Sequence, residues 1–267
     1  MLKLRVLTVA VLLPLILAAM FLLPNFWWQI VLMVPLILGA SEWAMLARFS
    51  PLQKSIFLAV VIAAAGAVAL AGLEASVSSD LATLAAKSVY ASSIVFWMVI
   101  APCWLWLKIK VRNRFALGAA GLVVLFPMWL ALGQLQRHAL LLLLLLGVIW
   151  IADTAAYFFG KTFGRRKLAP TISPGKTWEG VGGALATVAV YAVVLCAFPF
   201  FRYHIMFAAA AFIAMTAFSV IGDLYESWLK RSIGVKDSGA ILPGHGGMLD
   251  RIDGVTAALP LAALIFL

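Results

Sequence analysis

The chain has 267 residues, 65% hydrophobic and only 11% charged, with a formal net charge of +10. That composition places it among integral membrane proteins rather than soluble domains. The positive surplus needs no nucleic acid to explain it, because loop charges that set membrane topology account for most of it.

Apolar runs of the length a helix needs to cross a bilayer recur from end to end. They predict spans at roughly 6–23, 27–46, 55–73, 88–107, 115–133, 139–159, 179–200, 205–224 and 252–267. The expected fold is all-α, a polytopic integral membrane protein with about nine transmembrane helices. The first run follows Lys3 and Arg5 but is long for a signal peptide, so it is expected to stay as a span. Cys103 and Cys196 both fall inside apolar runs and read as small buried hydrophobes. The chain divides into residues 1–138, with five spans, and residues 139–267, with four spans and most of the informative polar residues.

Taking the N-terminus and every second loop as one side, 17 of the 20 basic residues fall there. Only Lys87, Arg137 and Arg202 fall on the other. This bias predicts a cytoplasmic N-terminus and cytoplasmic motif loops, with the protein in the cell's inner membrane.

Acids taken in chain order locate the chemistry. Glu42, near the end of span two, reads as a snorkelling or capping residue. Asp153 lies six residues inside the end of span six, about 9 Å deep, where a carboxylate calls for a partner or a wet cavity. A basic residue of the 161–176 loop would serve as that partner. In "SPGKTWEG" the GKT is no nucleotide loop. Glycine is required five positions before Gly175, where Pro170 stands. Ser173 there reads as a cap and Lys176 as a phosphate contact, though interfacial anchoring accounts for both equally.

In "GDLYESWLKR", Asp223, Glu226, Ser227 and Lys230 share one helical face. Asp250 and Asp253 stand three apart at the entrance to span nine. Two acid-bearing helix ends facing one compartment are what a Mg²⁺ site needs, with water and substrate phosphate completing the shell. Between them Gly239, Pro243, Gly244, Gly246 and Gly247 disfavour regular helix, and the glycines allow backbone N–H groups close to an anion. Lys230, Arg231, Lys236 and Arg251 add positive charge suited to phosphate. His245 suits a phosphate donor, a proton carrier or a structural hydrogen bond.

From Ser227 to Asp253 the chain reads "SWLKRSIGVKDSGAILPGHGGMLDRID", preceded by "DTAAYFFGKTFGRRKLAP" and "SPGKTWEG". These segments resemble the phosphatidate cytidylyltransferases, or CDP-diacylglycerol synthases. The resemblance covers residues 139–267, and the first half only through its hydropathy. It implies an all-helical, dimeric membrane enzyme with an intramembrane polar cavity. Such an enzyme makes CDP-diacylglycerol and pyrophosphate from phosphatidate and CTP with Mg²⁺, and with a monovalent cation such as K⁺ nearby. It also implies that Asp223 and Asp250 bind the metal, and Asp253 joins them in the candidate metal set. Asp223, Asp250, Lys230, Arg231, Lys236, His245 and Arg251 are the candidate catalytic residues. Ser173, Lys176, Ser227, Gly246, Gly247 and Asp153 are the candidate substrate contacts. The competing reading is an ion-coupled transporter, which calls for acids near mid-membrane and matching halves with broken helices. No internal repeat is visible, and a scaffold without catalysis leaves the glycine-, histidine- and base-rich loop unexplained.

Overall fold

The computed structural model describes residues 2–74, 80–109, 113–241 and 246–267. They form ten α-helices and one short hairpin. In order these are α1 (Leu2–Leu22), α2 (Asn25–Leu46), α3 (Pro51–Glu74), α4 (Asp80–Val95), α5 (Ala101–Trp106) and α6 (Arg114–Leu135). Then come α7 (Ala139–Phe163), β1 (Lys167–Ala169), β2 (Ser173–Thr177), α8 (Trp178–Cys196), α9 (Ile205–Ser232) and α10 (Leu249–Phe266). A π-turn at Phe96–Ile100 joins α4 to α5, and a 3₁₀ turn at Gln136–His138 joins α6 to α7.

Among the described residues six helical segments are long and apolar enough to cross a membrane, against the nine spans expected. The difference has two sources. One segment, Arg114–Phe163, is 50 residues long and contains both α6 and α7, enough for two crossings at about 1.5 Å per residue. At the two ends of the chain, α1 enters that count only as Ala10–Leu22, most of its earlier side chains lying outside the described residues, while α10 carries Asp250, Arg251 and Asp253 in its first turns. The protein is a multi-pass, all-helical membrane protein in either count.

Polar ties at the helix ends fix how the rods run. At the start of α2, Asn25 Nδ2 donates to Gly133 O at 2.6 Å, at the end of α6. At the other end of α2, Trp43 Nε1 donates to Leu117 O at 2.9 Å, near the start of α6. The two helices are therefore antiparallel. Helices α7 and α8 pair the same way, with Gly147 under Tyr191 at one end and Gly160 against Gly180 at the other.

The packing that matters most for the site is α9 on α10. A Cβ on Gly222 would stand 2.5 Å from Asp253 O and 3.1 Å from the Ala257 methyl. Gly254 in turn lies against Ser219 Oγ. Small residues at a helix contact let two backbones approach closely, a common device where lipid gives helices no hydrophobic reason to associate. Below the contact, Tyr225 is buried within rings from three other elements: Trp43, Phe96, Trp97 and Trp104, with Trp228 beside it on α9.

The hairpin is the one departure from an all-helical expectation. Lys167 pairs with Thr177 and Ala169 with Ser173. Glu179 holds its base, accepting from Arg165 N at 3.1 Å and from Arg166 N at 3.1 and 3.2 Å. Ser173 is consequently a strand residue and not the cap of α8. That role belongs to Thr177, whose Oγ1 accepts from Gly180 N at 3.1 Å in a niche formed by Gly160, Gly164 and Gly180.

Candidate active site

Helix α9 presents Asp223, Glu226, Ser227 and Lys230 on one face, as their spacing requires. Ser227 Oγ donates to Asp223 Oδ1 at 3.3 Å. The other oxygen of Asp223 lies 2.6 Å from Lys176 Nζ, which reaches in from β2. One turn further along, the Lys230 ammonium bridges two acids. It stands 2.5 Å from Asp250 Oδ1 on α10 and 3.4 Å from Glu226 Oε2. Glu226 lies beside Asp253. Asp153, on α7, stands within electrostatic reach of Lys176 and Asp223. The 161–176 segment therefore does bring a base toward Asp153, by way of the hairpin.

Asp250 is the most heavily bonded of these acids. Its Oδ2 accepts from Gly247 N at 2.8 Å and Ser238 N at 3.0 Å, with Ser238 Oγ 3.1 Å away, while Lys230 serves Oδ1. Gly246, at φ +83°, turns the chain so that the Gly247 N–H points inward. A side chain at Gly246 would be strained by that φ and would also crowd the Asp250 carboxylate. The glycines were expected to bring backbone N–H groups close to an anion. In the structure the N–H of Gly247 serves an internal anion, Asp250.

Five carboxylates thus meet two ammonium groups at one end of the bundle. Among the described residues, however, no three His, Cys, Asp or Glu side chains form a metal-ligating group. The three aspartates expected to share an ion are held separately, Asp223 by Lys176, Asp250 by Lys230 and the loop, and Asp253 against Glu226. The two lysines offset the charge of Asp223 and Asp250, while Asp253 and Glu226 lie against each other.

Other candidates lie outside this centre. Arg231 Nη1 donates to Val235 O at 2.8 Å, so its guanidinium closes the end of α9. Lys236 and Arg251 are exposed at the rim of the loop. His245, with Pro243 and Gly244, falls outside the described residues. Beside the hairpin an open groove of about 760 Å³ is lined by Phe163, Arg165, Arg166, Trp178 and Glu179 among others. It shares no lining residue with the acid–lysine cluster, so the groove adjoins the chemistry and does not contain it.

Sequence reasoning missed one participant. Glu42 was read as snorkelling or capping at the end of its own span. It does cap, but a different helix: its carboxylate accepts from Met248 N and Leu249 N at 2.9 Å, at the start of α10. The signal available in sequence was weak, a single acid near the end of a greasy helix some 200 residues away from its partners.

The acids collect at the ends of α9 and α10 nearest the connecting loop, which does not meet the transporter's call for mid-membrane sites in matching halves. Comparison with known proteins points to the enzyme. The model of the cytidylyltransferase family matches residues 3–267. A phosphatidate cytidylyltransferase of Pseudomonas aeruginosa is 38% identical, covering 99% of this chain and 97% of its own. That of Haemophilus influenzae is 37% identical over 97% and 96% of the two chains, and that of Staphylococcus haemolyticus 36% identical over 67% and 72%. With the match running nearly end to end, through the hairpin, the paired lysines and the glycine loop alike, the chain belongs to the cytidylyltransferase family.

Proposed function

We propose that the protein transfers the cytidylyl group of CTP to phosphatidate, giving CDP-diacylglycerol and pyrophosphate for phospholipid synthesis. The observation that carries this reading beyond family membership is the pair of contacts Lys176–Asp223 and Lys230–Asp250. They bring basic and acidic groups from β2, α9 and α10 to one end of the bundle, the arrangement a phosphoryl-type transfer needs. A phosphate oxygen of phosphatidate attacks the α-phosphorus of CTP in line. The bond from that phosphorus to the oxygen bridging the β-phosphate breaks, and pyrophosphate carries the electron pair away. No bond to the enzyme is required.

Lys176 and Lys230 stabilise negative charge on the phosphates as it redistributes, and the rigid α9–α10 contact holds the groups in register. The donor set suits Mg²⁺. The donors are all oxygens, the carboxylates outnumber the ammonium groups, and the buried Glu226 carboxylate is offset only loosely, with Lys230 Nζ 3.4 Å from Oε2. Mg²⁺ takes only one or two carboxylates when phosphate and water complete its shell, so Asp223 and Asp250 with the adjoining Asp253 are enough to hold it. When bound, it supplies Lewis-acid stabilisation of the phosphate charge. The 17-to-3 loop bias supports placing this end of the bundle at the cytoplasmic face of the inner membrane, where CTP is dissolved.

The test is direct. Purified protein in lipid vesicles, given phosphatidate, Mg²⁺ and CTP labelled on the α-phosphate, should place the label in lipid, and chelation of Mg²⁺ should stop it. No labelled lipid from folded protein would overturn the reading. Undiminished product after chelation would remove the metal.

A further inference from the structure

The first half of the chain contributes one acid to the far end of the molecule, and the geometry there is specific. Glu42 is 4% exposed. Its carboxylate receives three donors, all from the segment that leads into α10. Met248 N donates to Oε1 at 2.9 Å, Leu249 N to Oε2 at 2.9 Å and Ser238 Oγ to Oε2 at 2.8 Å. Ser238 is fully buried and reaches the other way as well, with its N–H 3.0 Å and its hydroxyl 3.1 Å from Asp250 Oδ2. One serine therefore stands between the Glu42 and Asp250 carboxylates.

The surrounding backbone is shaped to this acid. A Cβ at Gly239 would collide with the Glu42 carboxyl group. One at Gly247 would collide with Ser238 Oγ and stand 2.6 Å from Glu42 Oε2. Two of the loop's glycines are thus explained by the room Glu42 takes. A carboxylate fits this place better than a neutral acceptor, since the start of a helix favours negative charge and three donors need both oxygens.

We propose that Glu42 is a positioning residue for the transfer reaction, fixing Ser238 and the start of α10 at Met248 and Leu249 and, through Ser238, the orientation of Asp250. The helices of residues 1–138 are on this account part of the catalytic apparatus and not only an anchor. The proposal rests on the cytidylyl-transfer reading, because Asp250 matters to turnover only if that reading holds.

Glu42→Gln tests it with little change in volume. An amide nitrogen then stands where one oxygen was, and the N–H of Met248 or of Leu249 faces a donor. Removing one charged acceptor from buried donors predicts turnover per folded molecule about 10- to 100-fold lower, with the KM for CTP within about threefold of the parent. Without substrates, trypsin should cut at Lys236 sooner in the variant, because the segment is no longer pinned. Ser238→Ala, which breaks only the serine link, should lower turnover less, and the double variant should be no slower than Glu42→Gln alone.

Turnover of Glu42→Gln within about threefold of the parent, unchanged protection of Lys236, or losses that multiply in the double variant would overturn the proposal. If Glu42→Gln does not fold, full turnover of Ser238→Ala overturns it in the same way. A parent protein that makes no CDP-lipid strikes the functional reading, while the protease comparison still decides whether Glu42 pins the segment.

Discussion

Gly222→Ala is the sharpest probe of how α9 and α10 hold the site. The added carbon would lie 2.5 Å from Asp253 O and 3.1 Å from the Ala257 Cβ. Both atoms belong to a helix and neither can swing aside. Restoring ordinary contact requires the two helices to part by about 1 Å, and overpacking of this kind costs about 1–3 kcal/mol. For a chain of this size that is a fall in Tm of about 2–12 °C. The effect on turnover should be larger than the effect on stability. Asp223, Glu226 and Lys230 ride on α9 while Asp250 and Asp253 ride on α10, so parting the helices parts the reacting groups. A misplacement of about 1 Å can cost about a hundredfold in rate. Thermal unfolding in detergent, followed by tryptophan fluorescence, and CDP-lipid formation per folded molecule measure the two quantities. Gly66→Ala is the matched control: nothing lies within 4 Å of its Cβ, so both quantities should stay at or slightly above the parent values. Turnover of Gly222→Ala within threefold of the parent would show that the site does not depend on the α9–α10 approach.

Asp223→Asn and Asp250→Asn should each abolish CDP-lipid formation while leaving expression intact, and near-normal turnover in either would remove that residue from the centre. Lys176→Ala should raise the KM for CTP or phosphatidate. It should barely move Tm, because its pair with Asp223 is partly exposed and such pairs contribute about 1 kcal/mol or less. Kinetics identical to the parent would leave Lys176 with no role beyond the ion pair.

The residues differ in how far their roles could be read from sequence. Periodicity within α9 was legible because it is local: Asp223, Ser227 and Lys230 must share a face if the helix continues, and it runs unbroken to Ser232. The lysine partners were not legible. Lys176 could have served any acid or none until the hairpin aimed it at Asp223, and the hairpin depends on Glu179 gathering two backbone N–H groups across a turn. Ser173 was read as the cap, and only the start of α8 at Trp178 gives that role to Thr177 instead. Glu42 was hardest to read, since its bonds cross 196 to 207 residues and its own helix gives no reason for it. Local rules name the groups, whereas long-range packing decides which groups meet.

Helix length explains why the meeting place lies where it does. For a helix along the membrane normal, Asp223 stands 18 residues past Ile205, about 27 Å along α9, and Lys230 about 37 Å. The hydrocarbon core is about 30 Å thick, so the line between oil and headgroups falls between those two residues. Asp153, 14 residues past Ala139, sits about 21 Å along α7 and so remains within the core. On that reckoning the cluster starts below the headgroups and ends beyond the hydrocarbon core, with Lys176 reaching in from the hairpin and Lys230 buried against Glu226 and Asp250. A phosphate tethered by acyl chains can approach from the first side and a dissolved triphosphate from the second. Shifting α9 by one turn, about 5.4 Å, would move Asp223 and Glu226 together into one medium and out of register with the acids of α7 and α10. The polar groups are confined to a band about as deep as the boundary the reaction must bridge.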